Sequence, residues 1–88
     1  MKALWNYEIN SHGVSSVHLP IGSKILSVYE LYGKIKIWVL ANTEAFLAER
    51  KVAVYTSIDT LPDHPGRYIG DVTIDHGNTT LFVFEEEM

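Results

Sequence analysis

The sequence predicts a single all-β domain, a small sandwich or partly open barrel of about seven mainly antiparallel strands. Three observations carry this. Apolar and polar residues alternate with period two, most plainly where Trp5, Tyr7 and Ile9 interleave with Asn6, Glu8 and Asn10. Clusters of Gly, Pro, Asn, Asp and Ser interrupt the alternation at the spacing of short strands. The run from Lys34 to Ala41 is rich in β-branched and aromatic residues, with no Gly or Pro.

That run is expected to be the central strand. Ile35, Ile37 and Val39 fall on one face and Lys36, Trp38 and Leu40 on the other. From Trp38 onward both faces are apolar, the pattern of a strand covered on both sides.

Taken in order, Trp5–Ile9 forms the first strand, and Asn10-Ser11-His12-Gly13 is a turn into a second strand ending at Pro20. These two are expected to form a hairpin. A third strand runs from Lys24 to Leu31, with Leu26 and Val28 on one face and Ile25, Ser27 and Tyr29 on the other. Tyr32-Gly33 is a tight turn into the central strand, because Gly33 accepts a positive φ.

Asn42–Arg50 departs from alternation and reads as a loop with helical character. A short helix over 43–50 would use Glu44, Ala45, Leu47 and Ala48 as formers. The alternative is a hairpin loop whose Phe46 and Leu47 cover an open end of the core. Strand character returns from Lys51 to Ile58. The loop Asp59–Arg67 has its path fixed by Pro62, Pro65 and Gly66. Tyr68–Ile74 and Thr79–Glu85 are the last strands, joined by the hairpin turn Asp75-His76-Gly77-Asn78.

Composition narrows the function. The 88 residues make room for one domain, residues 1–88, with 47% hydrophobic and 20% charged side chains, an ordinary globular balance. A chain this short buries only about 60% of its unfolded surface, so self-association is an expected source of stability. Seven basic against 11 acidic residues give a net charge of −4. No basic tract is present, which argues against direct DNA or RNA binding. The absence of cysteine excludes disulfides, thiolate zinc sites and cysteine nucleophiles, and fits a cytoplasmic protein. No signal peptide or membrane span is expected, since no apolar run approaches the roughly 20 residues a membrane helix needs.

Catalytic motifs are lacking. His12, His18, His64 and His76 show no metal-ligand spacing and read as turn or edge-strand residues. Ser57, His64 and Asp59 can be assembled into a triad on paper, but no nucleophile elbow marks any serine. Asp71 and Asp75 lie four residues apart, on one face of a strand, and a solvated outer face is favoured over a cation site or an acid–base pair. Glu85-Glu86-Glu87 reads as a solubilising terminus. No glycine spacing matches a phosphate loop. The expectation is a protein without catalytic residues, metal or cofactor, and not an enzyme.

Aromatic and basic residues form the more informative constellation. Tyr29, Tyr32, Lys34, Lys36 and Trp38 cluster along the third and fourth strands, and His64, Arg67 and Tyr68 around the proline loop. Aromatic faces beside one or two cations suit a planar anion such as a nucleotide, through stacking and charge-assisted hydrogen bonds. The candidate ligand-binding residues are Arg67, His64, Tyr68, Trp38, Lys36 and Tyr32. The competing reading makes Trp38 and the tyrosines core or interface, with the lysines guarding edge strands.

In order, Trp5-x-Tyr7, Ile25-Leu26-Ser27-Val28, Trp38-Val39-Leu40, Pro62-x-x-Pro65-Gly66-x-Tyr68-Ile69-Gly70 and Phe82-Val83-Phe84-Glu85 span nearly the whole chain. In this order they resemble a family of small, uncharacterised all-β proteins found largely in bacteriophages and prophages. The chain departs from that family at Thr56–Thr60, where a Gly-Thr-Gly-like segment is usual, and in the final strand, which lacks the usual histidine. The resemblance implies a phage setting and a host-cytoplasm location. Three functions then fit: capture of a small anionic ligand such as a host nucleotide immune signal, edge-strand inhibition of a host protein, or a minor virion structural or assembly role. Homo-oligomerisation suits all three.

Overall fold

In the structure, a computed structural model describing residues 1–86, the alternation becomes seven strands. They are β1 (Lys2–Ile9), β2 (Gly13–Pro20), β3 (Lys24–Leu31), β4 (Lys34–Asn42), β5 (Leu47–Tyr55), β6 (Arg67–Ile74) and β7 (Thr79–Glu85). They form two antiparallel sheets, one of three strands in the order β1-β4-β3 and one of four in the order β2-β5-β7-β6. The sheets pack face to face as a sandwich and do not close into a barrel.

The core is built from the inward-facing set of each strand. Ile35, Ile37, Val39 and Ala41 of β4 meet Val52 and Val54 of β5 and Leu81 and Val83 of β7. Leu19 and Ile25 complete its buried centre, and Tyr7, Val28, Ile69, Val72 and Ile74 pack around the rim. Burial lifts the Tyr7 phenol above its ordinary pKa. β4 is the central strand of its sheet, as its sequence predicts. Its outer face is open along its whole length, however, and Trp38 remains 38% exposed rather than covered.

β1 and β2 do not form a hairpin: β1 pairs with β4 and β2 with β5, so the Asn10–Gly13 turn passes from one sheet to the other. Alternation specifies a strand but not its partner. No helix forms over 43–50. Asn42–Ala45 is a turn, with the Ala45 N–H donating to the Asn42 carbonyl at 3.1 Å, and β5 begins at Leu47 and ends at Tyr55. Pairing with β2 overrides the helix propensity of Leu47-Ala48-Glu49-Arg50. Phe46 and Leu47 do not cover the core either, being 87% and 63% exposed.

In β3 a bulge at Leu26 shifts the register between Ile25 and Ser27. Ile25 and Val28 therefore both face inward, while Ser27 and Tyr29 face out. Asp75 lies beyond β6 in the turn, so it does not share a strand face with Asp71. Glu85 is not part of a solvated tail: it ends β7 pointing inward and is 7% exposed. The Glu87 part of that reading lies outside the described residues.

The two hairpins that were expected do form. β3 and β4 join through Tyr32 (φ 51°) and Gly33 (φ 81°), the paired left-handed conformation of a type I′ turn. β6 and β7 join through Asp75, His76 and Gly77, which take φ values of 54°, 56° and 90°.

Candidate functional site

Two groups of charged and aromatic side chains stand out, and the strand order separates them. The first is the outer face of the three-stranded sheet. Pairing places Lys36 and Trp38 of β4 beside Tyr29 of β3, with Tyr29 directly opposite Lys36. The Tyr29 and Trp38 rings stack with centroids 5.5 Å apart and planes 21° apart, the diagonal contact that aromatic side chains make across an antiparallel pair. Trp38's direct neighbours are Asn6 on β1 and Ser27 on β3. Both are short, so the indole keeps an exposed flank.

The same face gathers charge. Lys2, Lys24, Lys34 and Lys36, every lysine except Lys51, occupy outward positions on β1, β3 and β4. Glu8 is the one carboxylate at an outward position of these three strands, and it lies 3.7 Å from Lys34. A chain of net charge −4 thus carries a cationic face built around an aromatic pair. Leu4, Leu31 and Leu40 give it an apolar floor.

The second group lies at the end of the sandwich where β7 finishes. Glu85 receives the Arg50 Nε–H on one carboxylate oxygen and an Arg67 guanidinium N–H, at 3.4 Å, on the other. Arg50 also donates to the Ser23 carbonyl at 3.0 Å, and Arg67 to the Ile25 carbonyl at 2.8 Å. This cluster ties β5, β6 and β7 to β3 across the sheet interface. Gly66 lies against it at φ 101°, and a Cβ there would overlap the Glu85 carbonyl. Among the described residues, no buried side-chain nitrogen or oxygen lacks a hydrogen-bond partner.

The six candidate residues therefore divide. Trp38 and Lys36 share the cationic face. Tyr32 sits at the tip of the β3–β4 turn, 93% exposed and roughly 13 Å along the strand from Trp38. Arg67 is held by Glu85 and the Ile25 carbonyl. Tyr68 faces out from the opposite sheet, packed on Phe84 with centroids 5.3 Å apart. Its hydroxyl donates to Asp71, which raises the phenol pKa. His64 is exposed in the loop between β5 and β6.

Lys2 and Lys24 carry no local signal in the sequence and join the face only through strand order. Nor does any local signal mark Arg50, whose inward place on β5 is set by its pairing with Val17. The end cluster has only a partial local signal: Arg67 and Glu85 stand at the open end of one hairpin, and they become direct partners through the bulge between Tyr68 and Gly70.

Elsewhere, Asp59 closes the Thr56–Asp59 turn. The Thr56 backbone N–H donates to its carboxylate at 2.7 Å and holds it below the usual carboxylate range. His12 Nε2 lies 3.2 Å from the same oxygen. A cleft of about 440 Å³ lies between the tips of the β3–β4 and β6–β7 hairpins, lined by Glu30, Gly33, Thr73, Asp75 and His76 among others. Two carboxylates at its wall make it unsuited to an anion. Among the described residues, no group of three or more His, Asp or Glu side chains is placed to hold a metal ion. No helix of the described residues is long and apolar enough to cross a membrane.

The family model for a domain of unknown function, DUF7352, matches residues 1–88, and the chain belongs to that family. No curated protein and no solved structure matches it.

Proposed function

We propose that this family member is a non-enzymatic binding protein that captures a small anionic ligand carrying a planar ring, of which a nucleotide is the plainest instance. The observation behind this reading is the exposed Tyr29–Trp38 stack on a face that holds Lys2, Lys24, Lys34 and Lys36 in an otherwise acidic chain. A base would stack on the aromatic pair, while Lys36 and Lys24 meet its phosphates. Stacking of a base on an aromatic side chain contributes about 1–3 kcal/mol, and lysine acts on phosphate as a mobile point charge. Arg67, bound by Glu85 and the Ile25 carbonyl, supports the fold in this reading rather than meeting the ligand. In a phage setting, the concrete form is sequestration of a host nucleotide signal, which requires retention of the ligand and no turnover.

The test is a thermal-shift screen against cyclic and linear nucleotides, with the released ligand checked by mass spectrometry. A ligand at a hundredfold excess over Kd stabilises the native state by about 2.7 kcal/mol. For a domain of this size that is a rise of about 10 °C or more. A rise with unchanged ligand mass, lost in Trp38→Ala, is the expected result. Altered ligand mass would make the protein an enzyme, and no rise across the panel would remove nucleotide capture.

A further inference from the structure

The four sheet edges are not alike. β3 and β6, on one side of the sandwich, both carry bulges, and Arg67 caps the Ile25 carbonyl of β3. Their mutual approach is close enough that a Cβ on Gly70 would lie 3.3 Å from Val28. On the other side, β2 ends in Pro20, which has no N–H to donate. β1 has none of these protections. It is eight residues long, without Pro, Gly or bulge, and pairs with β4 alone among the described residues. Its start is anchored, since the Met1 carbonyl accepts the Thr43 N–H at 3.0 Å. Leu4 and Trp5 along it are exposed. A long, regular, ordered edge of this kind offers its unpaired backbone groups to another strand.

We propose that the strand it takes is β1 of a second copy. Two chains join antiparallel about a two-fold axis through Trp5, making one six-stranded sheet from two three-stranded ones. Charge complementarity selects this occupant and its register. Directly opposed residues in an antiparallel pair point to the same side of the sheet. A two-fold pair therefore matches outward positions with outward ones, and alternative registers differ by steps that keep this parity.

With Trp5 opposite its own copy, Lys2 faces Glu8 and Glu8 faces Lys2, Leu4 faces Asn6, and Ala3 faces Tyr7. The next register in one direction sets Lys2 against Asn6, and the next in the other sets Glu8 against Leu4. Only the Trp5-centred register pairs both charges, and it does so twice by symmetry. Lys2 makes no ion pair within its own chain among the described residues, so the contact gives it a partner. The two outer faces then lie on the same side of the joined sheet. This inference rests on the free edge and is independent of what the cationic face binds.

The cysteine-free chain permits a direct test. Opposed Cα atoms in an antiparallel pair lie about 4.5–5.5 Å apart, within disulfide reach. Trp5→Cys is expected to form a covalent dimer under mild oxidation. Leu4→Cys alone is not, because its own copy lies on a diagonal of roughly 7–8 Å, whereas Leu4→Cys mixed with Asn6→Cys gives the crossed dimer.

Lys2→Glu, at an exposed position that leaves the fold intact, provides a second arm. By sedimentation equilibrium the unmodified chain is expected to be a dimer. Lys2→Glu should weaken it about tenfold through two new like-charge contacts, and the double variant Lys2→Glu with Glu8→Lys should restore it. A monomeric unmodified chain at hundred-micromolar concentration would overturn the proposal, even if the chain captured a strand from a foreign protein. So would equal cross-linking of Leu4→Cys and Trp5→Cys, or a dimer indifferent to Lys2→Glu.

Discussion

The Arg50–Glu85–Arg67 cluster and the Lys36–Trp38–Tyr29 face use similar side chains to opposite ends. In the first, each guanidinium has a carbonyl and a shared carboxylate, and Glu85 is buried. In the second, Lys36 and Trp38 stand on an open sheet face where Glu8 is the one outward carboxylate. A cation beside an aromatic residue is available to a ligand only where the protein itself leaves the charge unmatched. Arg67 beside Tyr68 looks as suggestive in sequence as Lys36 beside Trp38. The fold occupies the first and leaves the second open to solvent.

Breaking the cluster should have the largest effect on stability. Glu85→Ala leaves two guanidinium groups without their carboxylate, and removing one partner of a buried charged group costs about 3 kcal/mol. Urea unfolding should show that loss. A variant as stable as the parent would mean the cluster contributes little. Gly66→Ala should follow at about 2 kcal/mol or more, since a Cβ there overlaps the Glu85 carbonyl at an unfavourable φ. Arg67→Ala should lower stability by about 1 kcal/mol, because its side chain is 40% exposed and partly screened.

The cationic face should behave in the opposite way. Lys36→Ala is expected to leave unfolding within about 0.5 kcal/mol of the parent while abolishing any nucleotide-induced shift. The smallest effect concerns pH. Asp59 has its carboxyl pKa lowered in the folded state, chiefly by the Thr56 N–H. Its contribution to stability is present above the unfolded value of about 3.9 and is lost as pH falls from there through the folded value. Melting curves of the parent and Asp59→Asn should therefore separate at pH 6 and converge below pH 3; a constant separation would contradict the assignment.

Much of this architecture was legible in local chemistry. β3 and β7 match their sequence limits, and the Tyr32-Gly33 turn follows from the positive φ that Gly33 accepts. What local chemistry did not carry was partnership. The Asn10–Gly13 turn looks the same whether it closes a hairpin or crosses between sheets. β5 was obscured at Leu47–Arg50, because Arg50 holds an inward position that alternation assigns to an apolar residue. Glu85 was hidden in a run of glutamates for the same reason.

The candidate site shows the same division. Lys36 and Trp38 share a face by spacing alone. Lys2 and Lys24 join them only because β4 lies between β1 and β3. Arg67 could not be assigned without knowing that Glu85 points inward.

The two regions separate in one paired experiment: the nucleotide-induced melting shift of Trp38→Ala against that of Arg67→Ala, each relative to its own unliganded baseline. Arg67→Ala is expected to melt lower than the parent yet keep the full shift, whereas Trp38→Ala keeps its baseline within a few degrees and loses the shift. The reverse pattern, with the shift lost in Arg67→Ala and retained in Trp38→Ala, would place the ligand at the proline loop and overturn capture on the cationic face.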